Sequence, residues 1–217
     1  TEKAMVAAGT AHGREYGTAV HEWLEVVDGG KLTIDDVPAE FRPKCDAYLA
    51  ALRKDGILPI ANLVERIVRN EHRKTTGTFD RIYQLADGSL VIGDVKTAKD
   101  LTYSYMAISA QMAAYADAEY MLSEDGSEWG PLPEVRKDYA VILHVPSDEH
   151  DEVNVVTVDL EFGRRTLDYA LAVRDLRTKA KKAVPGQWTL PAPEIVPEDT
   201  APNGMPAKAW EWLLDAV

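Results

Sequence analysis

The sequence has a single cysteine, Cys45, in 217 residues. That excludes a disulfide within the chain and a zinc or iron–sulfur centre built from its cysteines alone, so no iron–sulfur cluster is expected. No apolar run approaches the roughly 20 residues that span a bilayer, and no secretion-signal pattern opens the chain. A membrane partner is therefore not expected, and a reducing, cytoplasmic compartment fits the cysteine usage. Positive charge is also short. Lys and Arg number 24 against 36 Asp and Glu, for a formal net charge of -12. Such a chain does not adhere to nucleic acid by bulk charge, so any work on DNA needs a local basic surface or a bound cation. Internal repeats and low-complexity tracts are absent as well.

What is present suits one sizeable core, with 46% hydrophobic and 28% charged residues. Tyr16, Val20, Trp23, Leu24 and Val27 recur at helical spacing and predict a helix over 15–27, stopped by Asp28-Gly29-Gly30. A second helix is predicted over 39–54, with Cys45 among its apolar positions as a buried small hydrophobe. Strands are predicted over 60–70, 77–85 and 90–97, then an alanine-rich helix over 103–122. Strands over 139–145 and 153–158 flank the acidic segment 147–152, in which His150 reads as part of a solvated turn. The last helix, 162–183, carries seven basic residues, which form either a DNA-facing stripe or a solvated face. Residues 1–184 are read as one domain, a helical part (1–55) followed by a core (56–184). Residues 185–217 are a proline-rich tail with a short helix over 207–216.

Chemistry concentrates between Thr76 and Thr97. Strand alternation puts Ile92, Asp94 and Lys96 on one face and Val91 and Val95 on the other. An acid beside an amine in an apolar strand is unusual. Asp80, on the preceding strand, supplies a second carboxylate, and two converging carboxylates suit Mg²⁺ or Mn²⁺. A lysine beside them can orient water and stabilise charge during attack on a phosphodiester. Convergence depends on register. A two-residue Asp87-Gly88 loop would pair Asp80 with Val95 and part the carboxylates. A three-residue Ala86-Asp87-Gly88 connection, with Gly88 left-handed, sets Asp80 opposite Asp94. Gly77 leaves room for a close backbone approach. Arg81, facing away from Asp80, suits either a phosphate clamp or an interior ion pair. His21 follows Gly17 by one helical turn, and Gln111 and Tyr115 project from one helix face.

In this order the four motifs, Gly17-x-x-x-His21, Gly77-x-x-Asp80, Asp94-x-Lys96 and Gln111-x-x-x-Tyr115, resemble the RecB-type exonuclease branch of the PD-(D/E)xK nuclease superfamily. Within it they resemble the short exonucleases carried by phages of actinobacteria. Each motif is weak alone, and the ordered set across the first half of the chain is specific. The resemblance implies an α/β (α+β) fold with a restriction-endonuclease-like core, a central mixed sheet of about five strands flanked by helices. It implies that His21, Asp80, Asp94 and the Val95 carbonyl ligate Mg²⁺ or Mn²⁺, with Lys96 acting on the attacking water. Gln111, Tyr115, Arg81, Gly77 and Thr97 would bind DNA or support the site, and Glu65 is an additional acid behind the ligands. Some members of the branch hold an iron–sulfur cluster with four cysteines, and this chain departs from that pattern.

The activity implied is metal-dependent hydrolysis of DNA, at ends or on single strands, beside a helicase or recombinase. A structure-specific endonuclease or resolvase on the same core is the nearest alternative. A non-catalytic DNA-binding or scaffolding module that retains the fold is a different class, and the complete acid, lysine and histidine set counts against it.

Overall fold

The computed structural model describes residues 2–147 and 152–182, the first turns of the N-terminal helix as backbone. In chain order the elements are α1 (Glu2–Asp28), a short 3₁₀ turn (Ile34–Asp36), α2 (Arg42–Asp55), β1 (Leu58–Asn70), β2 (Thr75–Gln84) and β3 (Leu90–Ala98). There follow α3 (Tyr105–Ala116), β4 (Tyr120–Leu122), β5 (Trp129–Pro131), β6 (Tyr139–Pro146), β7 (Asn154–Asp159) and α4 (Leu160–Lys182). One compact unit comprises Thr1–Val173 and contains every candidate site residue; a second begins at Arg174, where the described residues are the end of α4. The proline-rich tail, its short helix and His150 lie outside the described residues. Among the described residues no helix is long and apolar enough to cross a membrane.

The seven strands form one mixed sheet in the order β5-β4-β1-β2-β3-β6-β7. Neighbours are antiparallel except β3 and β6, which run parallel and are joined through α3. Apolar side chains cover both faces. Val91, Val95, Val141 and Leu143 pack with Val20 and Leu24 of α1 and Tyr48 and Leu52 of α2. Phe79, Ile82, Ile92 and Ile142 pack with Ile108, Met112 and Ala113 of α3 and with Leu160. Each such side chain contributes about 1.5–3 kcal/mol when fully buried. Cys45 is one of them. Burial pushes its thiol up to about 11, the inert state expected of a core cysteine.

Three differences from the sequence reading have physical reasons. The sheet has seven strands rather than five, because the three-residue strands β4 and β5 extend its edge beyond β1. The helix expected to reach 122 ends at Ala116. Beyond it the Glu119 N–H donates to the Arg69 carbonyl (3.2 Å), and Tyr120 and Met121 pair with β1, whose edge would otherwise lack partners. Helix α2 starts at Arg42 rather than at 39, with Pro43 in its first turn, where a missing N–H is harmless.

Candidate functional site

The hairpin between β2 and β3 sets the geometry. The Gly88 N–H donates to the Leu85 carbonyl (2.9 Å) and the Leu85 N–H to the Ser89 carbonyl (2.9 Å), which leaves three residues in the loop. Gly88 has φ +83 and completes the bulged turn. Arg81 then pairs with Gly93, and one step further along the strands Asp80 stands opposite Asp94. The two carboxylates therefore stand side by side on neighbouring strands, the arrangement expected from the odd-numbered loop.

Each carboxylate has a basic neighbour. His21, from α1, has its Nε2 2.9 Å from Asp80 Oδ2, which also accepts the Val95 N–H at 3.0 Å. Lys96 Nζ lies 2.5 Å from Asp94 Oδ2, with Asp94 fully enclosed and Lys96 29% exposed. No well-formed hydrogen bond reaches either Asp94 oxygen among the described residues. These surroundings push the two aspartates apart. Burial, then the charge of Asp80, lifts the Asp94 carboxyl to about 7 against the pull of Lys96. Burial also works against the charged form of Asp80, yet the His21 hydrogen bond, the Val95 N–H and the charges of His21 and Lys96 hold it below the usual range. The bond to Asp80 raises His21, partly offset by burial. Glu65 is lifted to about 7, by burial first and then by the charges of Asp80 and Glu25.

The remaining motif residues act as spacers and props. A Cβ on Gly17 would stand 2.8 Å from Thr97 Oγ1, so glycine there lets α1 approach β3 and bring His21 to Asp80. A Cβ on Gly77 would meet the Tyr115 ring at 2.7 Å. Gln111 Nε2 in turn donates to the Tyr115 hydroxyl (3.0 Å). The four sequence motifs therefore meet: His21 contacts Asp80, Asp80 accepts the N–H of Val95 between Asp94 and Lys96, and Gly77 packs on Tyr115.

Arg81 requires a correction. It is fully enclosed, and its Nε donates to Asp28 Oδ2 at 2.7 Å. The Tyr48 hydroxyl donates to the same oxygen (2.7 Å) and lies 3.1 Å from the Tyr83 hydroxyl. A side chain sealed from solvent cannot clamp a phosphate, so the interior ion pair is the arrangement observed. Arg164 of the basic last helix is also engaged, donating twice to Asp117 at 2.8 Å, which removes it from any DNA-facing stripe. Sequence reasoning missed the cluster of Asp28, Tyr48 and Tyr83 beside Arg81, because Asp28 and Tyr48 lie far from Arg81 in the chain. It also missed Glu25. That residue was within reach of the periodicity, since it follows His21 by four positions on one helix face.

A pair of buried carboxylates, one of them (Asp94) with neither oxygen in a well-formed hydrogen bond among the described residues, fits a hard cation such as Mg²⁺ or Mn²⁺. In comparisons with known proteins, the sequence matches no family model and no characterised protein.

Proposed function

We propose that the chain is a Mg²⁺- or Mn²⁺-dependent deoxyribonuclease with a PD-(D/E)xK core of the RecB type, hydrolysing phosphodiester bonds from DNA ends. What supports this reading most is the meeting of Asp80 and Asp94 across β2 and β3, with Lys96 on one and His21 on the other. An interior salt bridge needs one acid and one base. Here two acids oppose each other, and one of them is held near neutral ionisation, an expensive arrangement that a cation relieves.

Asp80 and Asp94 would hold the cation, with His21 beside Asp80 and the Val95 carbonyl as a further oxygen. When bound, the cation supplies Lewis acidity toward a phosphoryl oxygen and lowers the pKa of water. Lys96 neutralises Asp94, and its exposed end is placed to orient the attacking water and to balance charge growing on the phosphate. Tyr115, packed on Gly77 and bonded by Gln111, would support the β2 side of the site, and the two side chains offer an amide and a hydroxyl that could bind the DNA backbone. The net charge of -12 makes DNA binding depend on the cation, because uncompensated carboxylates repel phosphate.

Ca²⁺ and closed circles test this. With Ca²⁺, fluorescently labelled linear DNA should bind several-fold more tightly than without it. With Mn²⁺, linear DNA should be degraded and a covalently closed circle spared. Cleavage of the circle would assign the site to an endonuclease. DNA affinity indifferent to Ca²⁺ would contradict a cation bridging protein and phosphate.

A further inference from the structure

Asp28 is an odd residue to bury. It ends α1, where the negative pole of the helix dipole disfavours an acid, and its side chain is 1% exposed. The Arg81 guanidinium beside it is fully enclosed, yet only its Nε bonds to Asp28, and neither Nη1 nor Nη2 has a hydrogen-bond partner. Nη1 lies 3.9 Å from Asp80 Oδ2 and 4.0 Å from Glu65 Oε1, beyond bonding distance. Tyr48 of α2 donates its hydroxyl to Asp28, and Tyr83 stands against Tyr48. A buried ion pair satisfied this incompletely is a poor source of stability, because apolar side chains of similar volume would fill the space as well. What it supplies is direction.

That direction acts on α1. Gly17, His21, Leu24 and Asp28 follow one another at helical spacing along one face. Two turns, about 10.5 Å, separate His21 from Asp28. Consecutive residues of β2 grip them: Asp80 lies 2.9 Å from His21, and Arg81 donates to Asp28 at 2.7 Å. Between these grips the contact is apolar, with Val20 and Leu24 in the cluster that holds Val91 and Val95. Apolar burial is non-directional, so it leaves a helix free to slide or roll slightly. A functional side chain has to be held to about 0.5 Å and 10–20°. His21 is 27% exposed, so its own packing leaves it room to turn. A helix fixed by two directional bonds two turns apart neither slides nor rolls.

We propose that Asp28, Arg81 and Tyr48 are positioning residues for His21: their buried cluster fixes the register of α1 on β2 and so delivers the imidazole to Asp80. The proposal rests on the nuclease reading for the use of His21 as a cation ligand. It does not rest on that reading for the bond between His21 and Asp80, which needs no cation.

Both parts are measurable without DNA. Full-length chain, freed of cations and carrying nitrogen-15 histidine, is followed by nuclear magnetic resonance, with His21→Gln identifying the His21 signals among the five histidines. In wild type the His21 ring should show one fixed protonation pattern. In Arg81→Met combined with Asp28→Leu, which removes both charges together, it should move to the pattern of a free imidazole. Mn²⁺ and Mg²⁺ affinities are then measured by calorimetry. Their ratio should fall at least fivefold, toward that of His21→Gln, because imidazole favours Mn²⁺. The ratio is the quantity to read, since losing the Arg81 charge alters affinity for both dications alike. Leu160→Ala, a core truncation on the opposite face of the sheet, should change neither readout. Circular dichroism verifies folding. If the double variant does not fold, Tyr48→Phe decides: a smaller shift in the same direction supports the proposal, and none overturns it. His21 signals unchanged in the folded double variant, or changed equally in Leu160→Ala, would overturn it too. Shifted signals with an unchanged ratio, or with no cation bound by wild type, would support the positioning and contradict His21 as a cation ligand.

Discussion

Replacing Asp94 with asparagine should stabilise the cation-free protein at alkaline pH. The carboxyl is fully buried, and burial together with Asp80 raises it from 3.8 to about 7. At about 1.4 kcal/mol per pH unit, that rise corresponds to about 4 kcal/mol. The unfolded chain ionises this group near its ordinary value, whereas the folded chain ionises it only near 7. Stability therefore falls as pH climbs through that window, and the full loss is present above it. Asparagine keeps the shape, carries no charge, and can donate an N–H to Asp80. Against this, Lys96 loses its partner, but with 29% of its side chain exposed it recovers water. The net gain at pH 8 is then about 2 kcal/mol, or about 4–8 °C in Tm for a chain of this size. Thermal unfolding at pH 8 and pH 5 without divalent ions reads it directly. The variant should melt higher at pH 8, with the gap narrowing at pH 5, and Ca²⁺ should raise wild type more than the variant. A variant that melts lower than wild type by the same amount at both pH values would refute the idea of a destabilised buried charge.

His21 and Lys96 should separate by metal rescue: His21→Ala should regain cleavage at high Mn²⁺, while Lys96→Ala should bind Mn²⁺ and DNA yet stay slow at any Mn²⁺ concentration. Without cations, wild type should also lose stability through His21 as pH rises above 6.5. Its folded pKa is raised, so its contribution is complete below the ordinary 6.5 and lost as pH rises through the folded value; His21→Gln should flatten the Tm profile. Gly17→Ala should destabilise by about 1 kcal/mol, despite alanine's advantage in helices, because its Cβ meets Thr97 Oγ1; adding Thr97→Ala should restore most of that in denaturant titrations. Arg81→Met should cost about 3–5 kcal/mol by leaving buried Asp28 without its counterion, and adding Asp28→Leu should recover much of it.

The legible part of the molecule is the part written in local periodicity and turn chemistry. Alternation along β3 placed Asp94 and Lys96 together, and the need for Asp80 to join them selected the loop that Gly88 forms. Gly77 was readable as a place of close approach, and it meets Tyr115 of another motif; that Gly17 stands against Thr97 was not readable. Illegible features depend on partners remote in sequence. Alanine-rich spacing continues past Ala116, and only the edge of β1 ends the helix. Three-residue strands such as β4 and β5 are too short to carry a period. Arg81 was read as facing away from Asp80, yet its Nη1 lies 3.9 Å from Asp80 Oδ2, and its hydrogen-bond partner Asp28 belongs to a helix stop more than fifty residues earlier. Glu65 was read as an additional acid, and its left-handed backbone, which turns it toward His21, leaves no mark in the pattern of neighbouring residues.

The most direct test of the central claim is hydrolysis itself. Purified chain with Mn²⁺ should convert end-labelled linear DNA to short products, and EDTA should stop the reaction. Asp94→Asn, folded and at least as stable at pH 8, should lose activity by a hundredfold or more. Cleavage that persists in folded Asp94→Asn at the wild-type rate, or wild-type protein inert toward DNA in both Mn²⁺ and Mg²⁺, would contradict the account.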